Sequence, residues 1–210
     1  LAIKPDYAEA HNNLGITLKE LGQLDAAIKS YEKALAIKPD YAYAHNNLGN
    51  VFWELSQLNA AVKSYEKALS IKPDYAEAHG NCGIALLGLN RLDESLASLN
   101  RAIVLKPDID FILGDSLHTK MHLCIWDDLP NHLIELTNKI NNGEKVLKPF
   151  CTLALIDDPE IQRKTSEIYA NEYPQSHVLS KIEPYPKHKK IRIGYFSADF
   201  HSHATMHLMA

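Results

Sequence analysis

Apolar and small residues recur at intervals of three and four along the first half of the chain, which is the spacing of one face of an α-helix. The phrase PDYAEAHNNLG begins at Pro5 and returns as PDYAYAHNNLG from Pro39 and as PDYAEAHGNCG from Pro73, a constant interval of 34 residues. A diverged fourth copy starts at Pro107. Repetition at this period predicts stacked helix–turn–helix units.

Turn residues place the ends of these helices. Gly22 suits the left-handed backbone conformation that ends a first helix. Pro39 and Pro73 are expected to stop the second helix, because proline lacks an amide hydrogen and disfavours helical angles in the residue before it. One polar position of each second helix is predicted to provide its N-terminal cap: Asp25, Asn59 and Asp93.

Small and large residues alternate between the two helices of a unit. A glycine recurs in the first helix, at Gly15, Gly49 and Gly83. The second helix carries Tyr31 or Tyr65 between alanines. We expect the bulky side chains to enter the space that the small positions leave, so that the two helices approach closely.

The order Leu-Gly, Ala, aromatic, Ala, Pro resembles the tetratricopeptide repeat. The resemblance implies a mainly α fold with a right-handed superhelix over residues 1–107. Residues 1–7 would be a partial repeat, and three full repeats would follow from residue 8. In this family the first helices line a concave groove.

An asparagine recurs at one position of the first helices, at Asn13, Asn47 and Asn81. Because an amide side chain both donates and accepts hydrogen bonds, this row is predicted to hold the main chain of an extended peptide. The alternative interpretation is that asparagine is only a tolerated polar residue on an exposed helix face.

Residues 108–172 lose the repeat pattern but remain helical in character, and they are interpreted as a helical bridge. Helices are expected at 111–123, at 129–141 and from Pro159, where Asp158 precedes proline. The segment 173–190 contains three prolines and ends in a short basic cluster, so it is interpreted as a linker. No chemistry is assigned to three scattered histidines: His118, His122 and His132.

Residues 191–197, IRIGYFS, are β-branched and aromatic, which predicts a strand. A loop follows, and then a predicted helix from His203 or Ala204. Strand, loop and helix together predict the start of an α/β lobe at 191–210. Four potential zinc ligands lie within nine residues here, but the HExxH pattern is absent and no metal is predicted. These residues are Asp199, His201, His203 and His207.

The stretch KIRIGYFSADFHSHATMHLM resembles the start of the catalytic region of the O-linked N-acetylglucosamine transferase family, in its SPINDLY-like branch. That family joins a tetratricopeptide superhelix to a two-lobed GT-B glycosyltransferase. The segments LHTKMHLCIWDD, NKINNGEK and LALIDDPEIQR are similar to the bridge of its bacterial members. The predicted fold is therefore a repeat superhelix, a helical bridge and the first strand–loop–helix of a truncated α/β lobe.

The resemblance implies transfer of N-acetylglucosamine from its UDP donor to Ser or Thr of proteins, without a metal or other cofactor. His203 matches the histidine of the family motif that lies in the active-site cleft, and it is the candidate catalytic residue. Asp199, Thr205 and His207 would belong to a loop on the donor side. Ala204 stands where the motif usually has proline, which leaves the loop geometry open.

The sequence is therefore consistent with two alternative functions. In the first, the chain is the N-terminal part of a protein O-glycosyltransferase whose repeats recruit protein substrates. It is expected to be a fragment, cut at both ends, and inactive by itself because half of the cleft is missing. In the second, it is a non-catalytic tetratricopeptide scaffold for protein–protein interaction.

Net charge and cysteine content limit the classes of partner and the cellular compartment that the sequence predicts. The formal net charge is −4 and the pI is about 6.3, whereas binders of duplex nucleic acid usually carry a basic excess. Three widely spaced cysteines suggest a reducing compartment. No apolar run reaches the length of a membrane span. We therefore expect protein or peptide partners and neither nucleic acid nor a membrane. The expected location is the cytoplasm.

Overall fold

The computed structural model describes residues 7–171, and the structural statements that follow concern that part of the chain. It is all-helical and superhelical there, with no strand. The helices are α1 (Ala8–Glu20), α2 (Leu24–Ile37), α3 (Ala42–Glu54), α4 (Leu58–Ile71), α5 (Ala76–Gly88), α6 (Leu92–Leu105), α7 (Ile112–His122), α8 (Leu129–Asn141), α9 (Pro149–Leu155) and α10 (Pro159–Ala170).

The first six helices form three packed pairs: α1 with α2, α3 with α4, and α5 with α6. Each second helix then packs against the first helix of the next pair. The helix α7 packs against α6 and also contacts α5, as α5 does with α4 and α3. It therefore occupies the place of the first helix of a fourth unit, although its sequence has lost the repeat pattern.

The predicted interlock of small and large residues is confirmed. A Cβ added to Gly15 would lie 2.5 Å from the ring of Tyr31, and the same distance separates Gly49 from the ring of Tyr65. In the third unit the added Cβ of Gly83 would lie 2.6 Å from Leu99 Cγ. The three large side chains are almost completely buried. The glycines thus allow the second helix of each unit to lie directly against the first.

The predicted turns are also confirmed. Gly22 has φ +73°, and Ser56 and Asn90 take the same left-handed conformation in the next two units. The second helices α2 and α4 end two residues before Pro39 and Pro73. One turn geometry is therefore retained with three different residues, because the packing on either side fixes it.

The predicted caps of the second helices are wrong. The helix α2 begins at Leu24, its cap position is Gln23, and no side chain bonds its free amides; α4 and α6 share this register. Asp25 is the second residue of its helix. Its carboxylate can still favour the helix through the positive end of the dipole, without a capping hydrogen bond.

Helices α7 to α10 form a second cluster around Leu117, Leu136, Ile140 and Ile161. The predicted helices are confirmed: α8 ends at Asn141, and α10 starts after Asp158, whose side chain accepts from the amides of Glu160 and Ile161. The short helix α9 was not predicted.

The segment before α9 lies across the start of α7. The backbone amide of Phe111 donates to the carbonyl of Lys145 at 2.6 Å, and the amide of Gly114 donates to the carbonyl of Val146 at 2.9 Å. The first amides of a helix have no partner within the helix, so this segment supplies the acceptors that α7 needs. The predicted strand at 191–197 and the predicted linker at 173–190 lie outside the described residues.

Candidate functional site

The first helices contact one another, α1 with α3, α3 with α5 and α5 with α7, so they lie on the more tightly curved side of the stack. We call this surface the inner face. Asn13, Asn47 and Asn81 lie on it, one on each first helix. Asn13 is exposed, and the other two are half-buried. The sequence had predicted that they would form one row.

The row is tied together by side-chain amides of neighbouring helices. Asn47 Nδ2 donates to Asn12 Oδ1 at 3.0 Å, and Asn81 Nδ2 donates to Asn46 Oδ1 and Asn50 Oδ1, each at 3.1 Å. The donors of the row are therefore used largely within the array. This differs from the sequence-based hypothesis, in which each amide was available to a peptide as both donor and acceptor.

The side-chain oxygens of Asn47 and Asn81 remain available. Neither accepts a hydrogen bond from another part of residues 7–171. Because the amide nitrogens are held by the neighbouring helix, the oxygens are fixed in orientation. The row is thus a set of oriented acceptors on the inner face, spaced by one repeat.

A buried tyrosine supports the row in the second unit. Tyr65 Oη donates to Asn50 Oδ1 at 2.9 Å. In the first unit Ile16 stands in place of Asn50, and the hydroxyl of Tyr31 has no hydrogen-bond partner among the described residues. Burial raises the pKa of Tyr31 to about 12 and also raises the pKa of Tyr65, so both hydroxyls are neutral at physiological pH.

An apolar depression lies beside the row. Trp53 is 47 % exposed at the end of α3. Together with Ile84 it lines two adjoining cavities of about 220 and 490 Å³, one reaching Asn81 and the other Leu87. Sequence reasoning missed Trp53. A signal was available, because the equivalent positions of the other units carry Lys19 and Leu87, so that tryptophan breaks the repeat.

The charge near this depression is balanced. Lys19 Nζ lies 2.9 Å from Glu54 Oε1, an ion pair between α1 and α3. The inner-face row itself is made of neutral amides. The surface is therefore better suited to an uncharged segment than to a strongly acidic one.

The row of amides ends at α7. Asp115 lies 34 residues after Asn81, but it is buried, and both of its carboxylate oxygens accept from Lys148 Nζ, at 2.8 and 3.0 Å. The bridge therefore occupies this end of the inner face, and Asp115 offers no free acceptor to a ligand.

Four of the histidines lie in two different settings. His45 Nε2 and His79 Nε2 each lie 3.0 Å from a proline carbonyl oxygen, of Pro39 and Pro73 respectively, and they tie the turn to the first helix. His118 Nε2 and His122 Nε2 lie 3.1 Å from each other on α7. Burial and the neighbouring His122 lower the pKa of His118.

The cysteines are free thiols in this part of the chain. Burial raises the pKa of Cys82 to about 11 and raises the pKa of Cys151, so neither is a reactive thiolate. Within residues 7–171, no group of three or more His, Cys, Asp or Glu side chains is arranged to hold a metal ion, and no helix is long and apolar enough to cross a membrane. The predicted residues Asp199, His203, Thr205 and His207 lie outside the described residues.

Three solved structures show the same fold at low sequence identity. A MamA protein matches with TM-score 0.60 and 20% identity, covering 68% of this chain and 78% of that one. The first TPR of Spaghetti (RPAP3), bound to the HSP90 peptide SRMEEVD, matches with TM-score 0.55 and 20% identity, covering 57% and 95%. The Arabidopsis OM64 TPR domain matches with TM-score 0.53 and 23% identity, covering 55% and 95%. A comparison with curated proteins found no match.

Family models match three overlapping segments. One described as tetratricopeptide repeat matches residues 1–29, one described as TPR repeat matches 17–56, and another tetratricopeptide repeat matches 42–75. None of the three extends to residues 191–210. The 34-residue period, the glycine–tyrosine interlock and these matches agree: the chain contains tetratricopeptide repeats.

Proposed function

We propose that the repeats bind an extended, uncharged segment of a partner protein along the inner face. The observation that carries this proposal is the row of oriented amide oxygens at Asn47 and Asn81, with exposed Asn13 at its open end. An extended peptide presents main-chain amides at regular intervals, and acceptors on successive repeats can bind them whatever the side chains are. Similar structures add support, since one of them was solved with a bound peptide.

Trp53 gives this surface a preference for one apolar side chain. A half-exposed tryptophan beside Ile84 and Leu87 offers apolar area that is buried only when a ligand covers it. Large aromatic anchors of this kind dominate many protein interfaces. A large aliphatic or aromatic residue of the partner would bind here, while its main chain bonds Asn81.

Acidic peptides are the disfavoured class. Recognition of carboxylates uses lysine or arginine, and the inner-face row carries amides instead. Lys19 lies nearby but is neutralised by Glu54. The acidic peptide bound by the Spaghetti repeat is therefore the informative negative probe.

Fluorescence anisotropy with labelled peptides and the 210-residue chain tests the proposal. The positive probe is an uncharged peptide of about ten residues, rich in Ser, Thr and Val with one central Leu. Replacing Asn13, Asn47 and Asn81 with Ala should weaken its binding by about tenfold or more, since one lost hydrogen bond is worth about 1 kcal/mol. Replacing exposed Asn59 of α4 with Ala is the matched control and should change nothing.

The peptide provides a second readout. Methylation of alternate main-chain nitrogens removes the N–H groups that would donate to the row. The methylated probe should therefore bind weakly to the wild-type chain, and its binding to the triple Asn variant should be no weaker than that. Trp53→Ala should weaken binding of the Leu-containing peptide. It should leave binding unchanged for a peptide that carries Ala in place of that Leu. Equal binding of the methylated and unmethylated probes, or stronger binding of SRMEEVD than of both, would contradict the proposal.

We further propose that the docked partner is the acceptor of a sugar-transfer reaction. This rests on the sequence of residues 191–207, which resembles the first step of a GT-B catalytic region, with His203 as the candidate catalytic residue and Asp199, Thr205 and His207 beside the donor. UDP-N-acetylglucosamine would be the donor, and no cofactor is invoked.

The test uses the complete gene product, radiolabelled UDP-N-acetylglucosamine and a Ser/Thr-rich acceptor protein. Transfer is expected, and His203→Ala should abolish it while leaving peptide binding unchanged. The 210-residue chain alone is expected to be inactive. Absence of transfer by the complete product, with peptide binding intact, would leave a non-catalytic scaffold as the function.

A further inference from the structure

The last two turns of α7 carry two histidines four residues apart, His118 and His122. This spacing places both side chains on one face of a helix. Their Nε2 atoms lie 3.1 Å apart, with the ring planes 87° to each other. We propose that this pair binds a divalent first-row transition metal ion, with Cu²⁺ the tightest.

The nitrogen separation suits two ligands of one ion. At a metal–nitrogen distance of about 2.0–2.1 Å, two imidazoles lie about 2.9 Å apart at a right angle and about 3.3 Å apart at the tetrahedral angle. The observed distance falls between these values. For the two nitrogens of the neutral pair to share a hydrogen bond, one ring must carry its hydrogen on Nε2. Metal binding requires that ring to carry its proton on Nδ1 instead, which is a tautomer change without net proton release.

The surroundings leave room for the remaining ligands. His122 is exposed and His118 is half-buried, at the edge of a cavity of about 240 Å³. Met121 and Cys151 also line this cavity, together with Trp126 and Phe150. The pair provides two protein ligands, and water or small anions complete the coordination from the open side.

Imidazole nitrogen is a ligand for copper, nickel and zinc rather than for magnesium or calcium. For a fixed pair of nitrogens, affinity follows the order in which Cu²⁺ exceeds Ni²⁺ and Zn²⁺. Chelation would also join two successive turns at the end of α7, so that the ion stabilises the last turns of this helix. Sequence reasoning assigned these histidines no chemistry, although their spacing was a usable signal.

Histidines elsewhere in the chain compete for metal, so the test needs a background variant. In the 210-residue chain, His201, His203 and His207 are replaced together with Ala. Cu²⁺ is titrated by calorimetry, and the nitrogen couplings of bound Cu²⁺ are counted by electron paramagnetic resonance. His118→Gln and His122→Gln are then made separately in this background, and His132→Gln serves as the matched control.

The background chain is expected to bind Cu²⁺ with two nitrogen couplings and a raised melting temperature. Either glutamine variant should lose about tenfold or more in affinity, at least as much as the loss of an outer-shell partner costs, together with one nitrogen coupling. His132→Gln should retain both. Circular dichroism of the metal-free variants checks that helicity is kept, and the exposed position of His122 makes its variant decisive if His118→Gln unfolds.

Two results would overturn the proposal. One is a background chain that binds no Cu²⁺, which would assign all metal affinity to the replaced histidines. The other is unchanged affinity in His122→Gln with native helicity. Both are independent of peptide binding, so they leave the proposed function untouched.

Discussion

The repeat array, α1 to α6, and the bridge, α7 to α10, are held together in different ways. The array uses one contact three times, a glycine of the first helix against a large buried side chain of the second. The bridge uses contacts that occur once, such as the ion pair of Asp115 with Lys148 and the backbone bonds from Phe111 and Gly114. Stability in the array is thus a sum of similar neighbour terms. In the bridge it depends on a few particular groups.

The difference predicts where single substitutions are most harmful. In the array, a lost contact has equivalents in the neighbouring units. In the bridge, a lost contact has no repeat-related equivalent among residues 7–171. Four predictions follow from this contrast, in order of decreasing expected effect.

The largest effect is expected from Lys148→Met. It leaves the carboxylate of Asp115, whose side chain is only 7% exposed, buried without its cation, at a cost of about 3 kcal/mol in the free energy of unfolding. Lys145→Met is the matched control, since it removes an exposed pair with Asp110 and should cost less than about 1 kcal/mol. Urea unfolding measures both. Equal costs would mean that the buried pair does not hold the bridge.

A glycine pair gives the next effect. In Gly114→Ala the new Cβ would lie 2.5 Å from the backbone oxygen of Val146, whereas in Gly49→Ala it would meet the ring of Tyr65 at the same distance. Overpacking typically costs about 1–3 kcal/mol. We expect Gly114→Ala at the upper end, because a backbone carbonyl cannot move away without losing its hydrogen bond to residue 114.

Gly80→Ala is the control for both glycine variants. Its Cβ would lie 3.1 Å from the terminal Cδ1 of Ile112 and at an ordinary contact distance of 3.9 Å from the Cβ of Ala102. Thermal unfolding followed by circular dichroism should show the largest loss of melting temperature in Gly114→Ala, a smaller loss in Gly49→Ala and the smallest in Gly80→Ala. A reversed order would show that the array is the less tolerant region.

Within the array, two tyrosines differ in one hydrogen bond. Tyr65→Phe removes the bond to Asn50 and should cost about 1 kcal/mol. Tyr31→Phe removes a buried hydroxyl without a partner in the described part of the chain and should be neutral or stabilising. Urea unfolding of the two variants measures the difference directly. Equal losses would contradict the assignment of the Asn50 bond.

The smallest effect concerns an exposed pair. A hydrogen bond from Lys106 lowers the pKa of Glu77 below its usual value of 4.5. The pair therefore contributes stability above that pH, and the contribution is lost as pH falls through the lowered pKa. Glu77→Gln should cost less than about 1 kcal/mol at pH 7, and the cost should shrink as the pH falls towards 3. Melting temperatures at the two pH values test this, and a loss that persists in acid would rule out the ion pair as its cause.

For the repeat array, the sequence by itself determined the helices, the turns and the glycine–tyrosine interlock, because these follow from local spacing and repeat every 34 residues. It also placed Asn13, Asn47 and Asn81 in one row. Periodicity shows which residues share a helix face. When the same face recurs every 34 residues, each copy is expected to pack against the same face of its neighbour.

Only the tertiary structure decided which groups on those faces meet. It paired Asn47 with Asn12 and Asp115 with Lys148, and it brought Trp53 beside Ile84. These residues are 31 to 35 positions apart, and their side chains are held by packing between helices. Local spacing carries no record of such contacts, since they arise from the way one helix lies against the next.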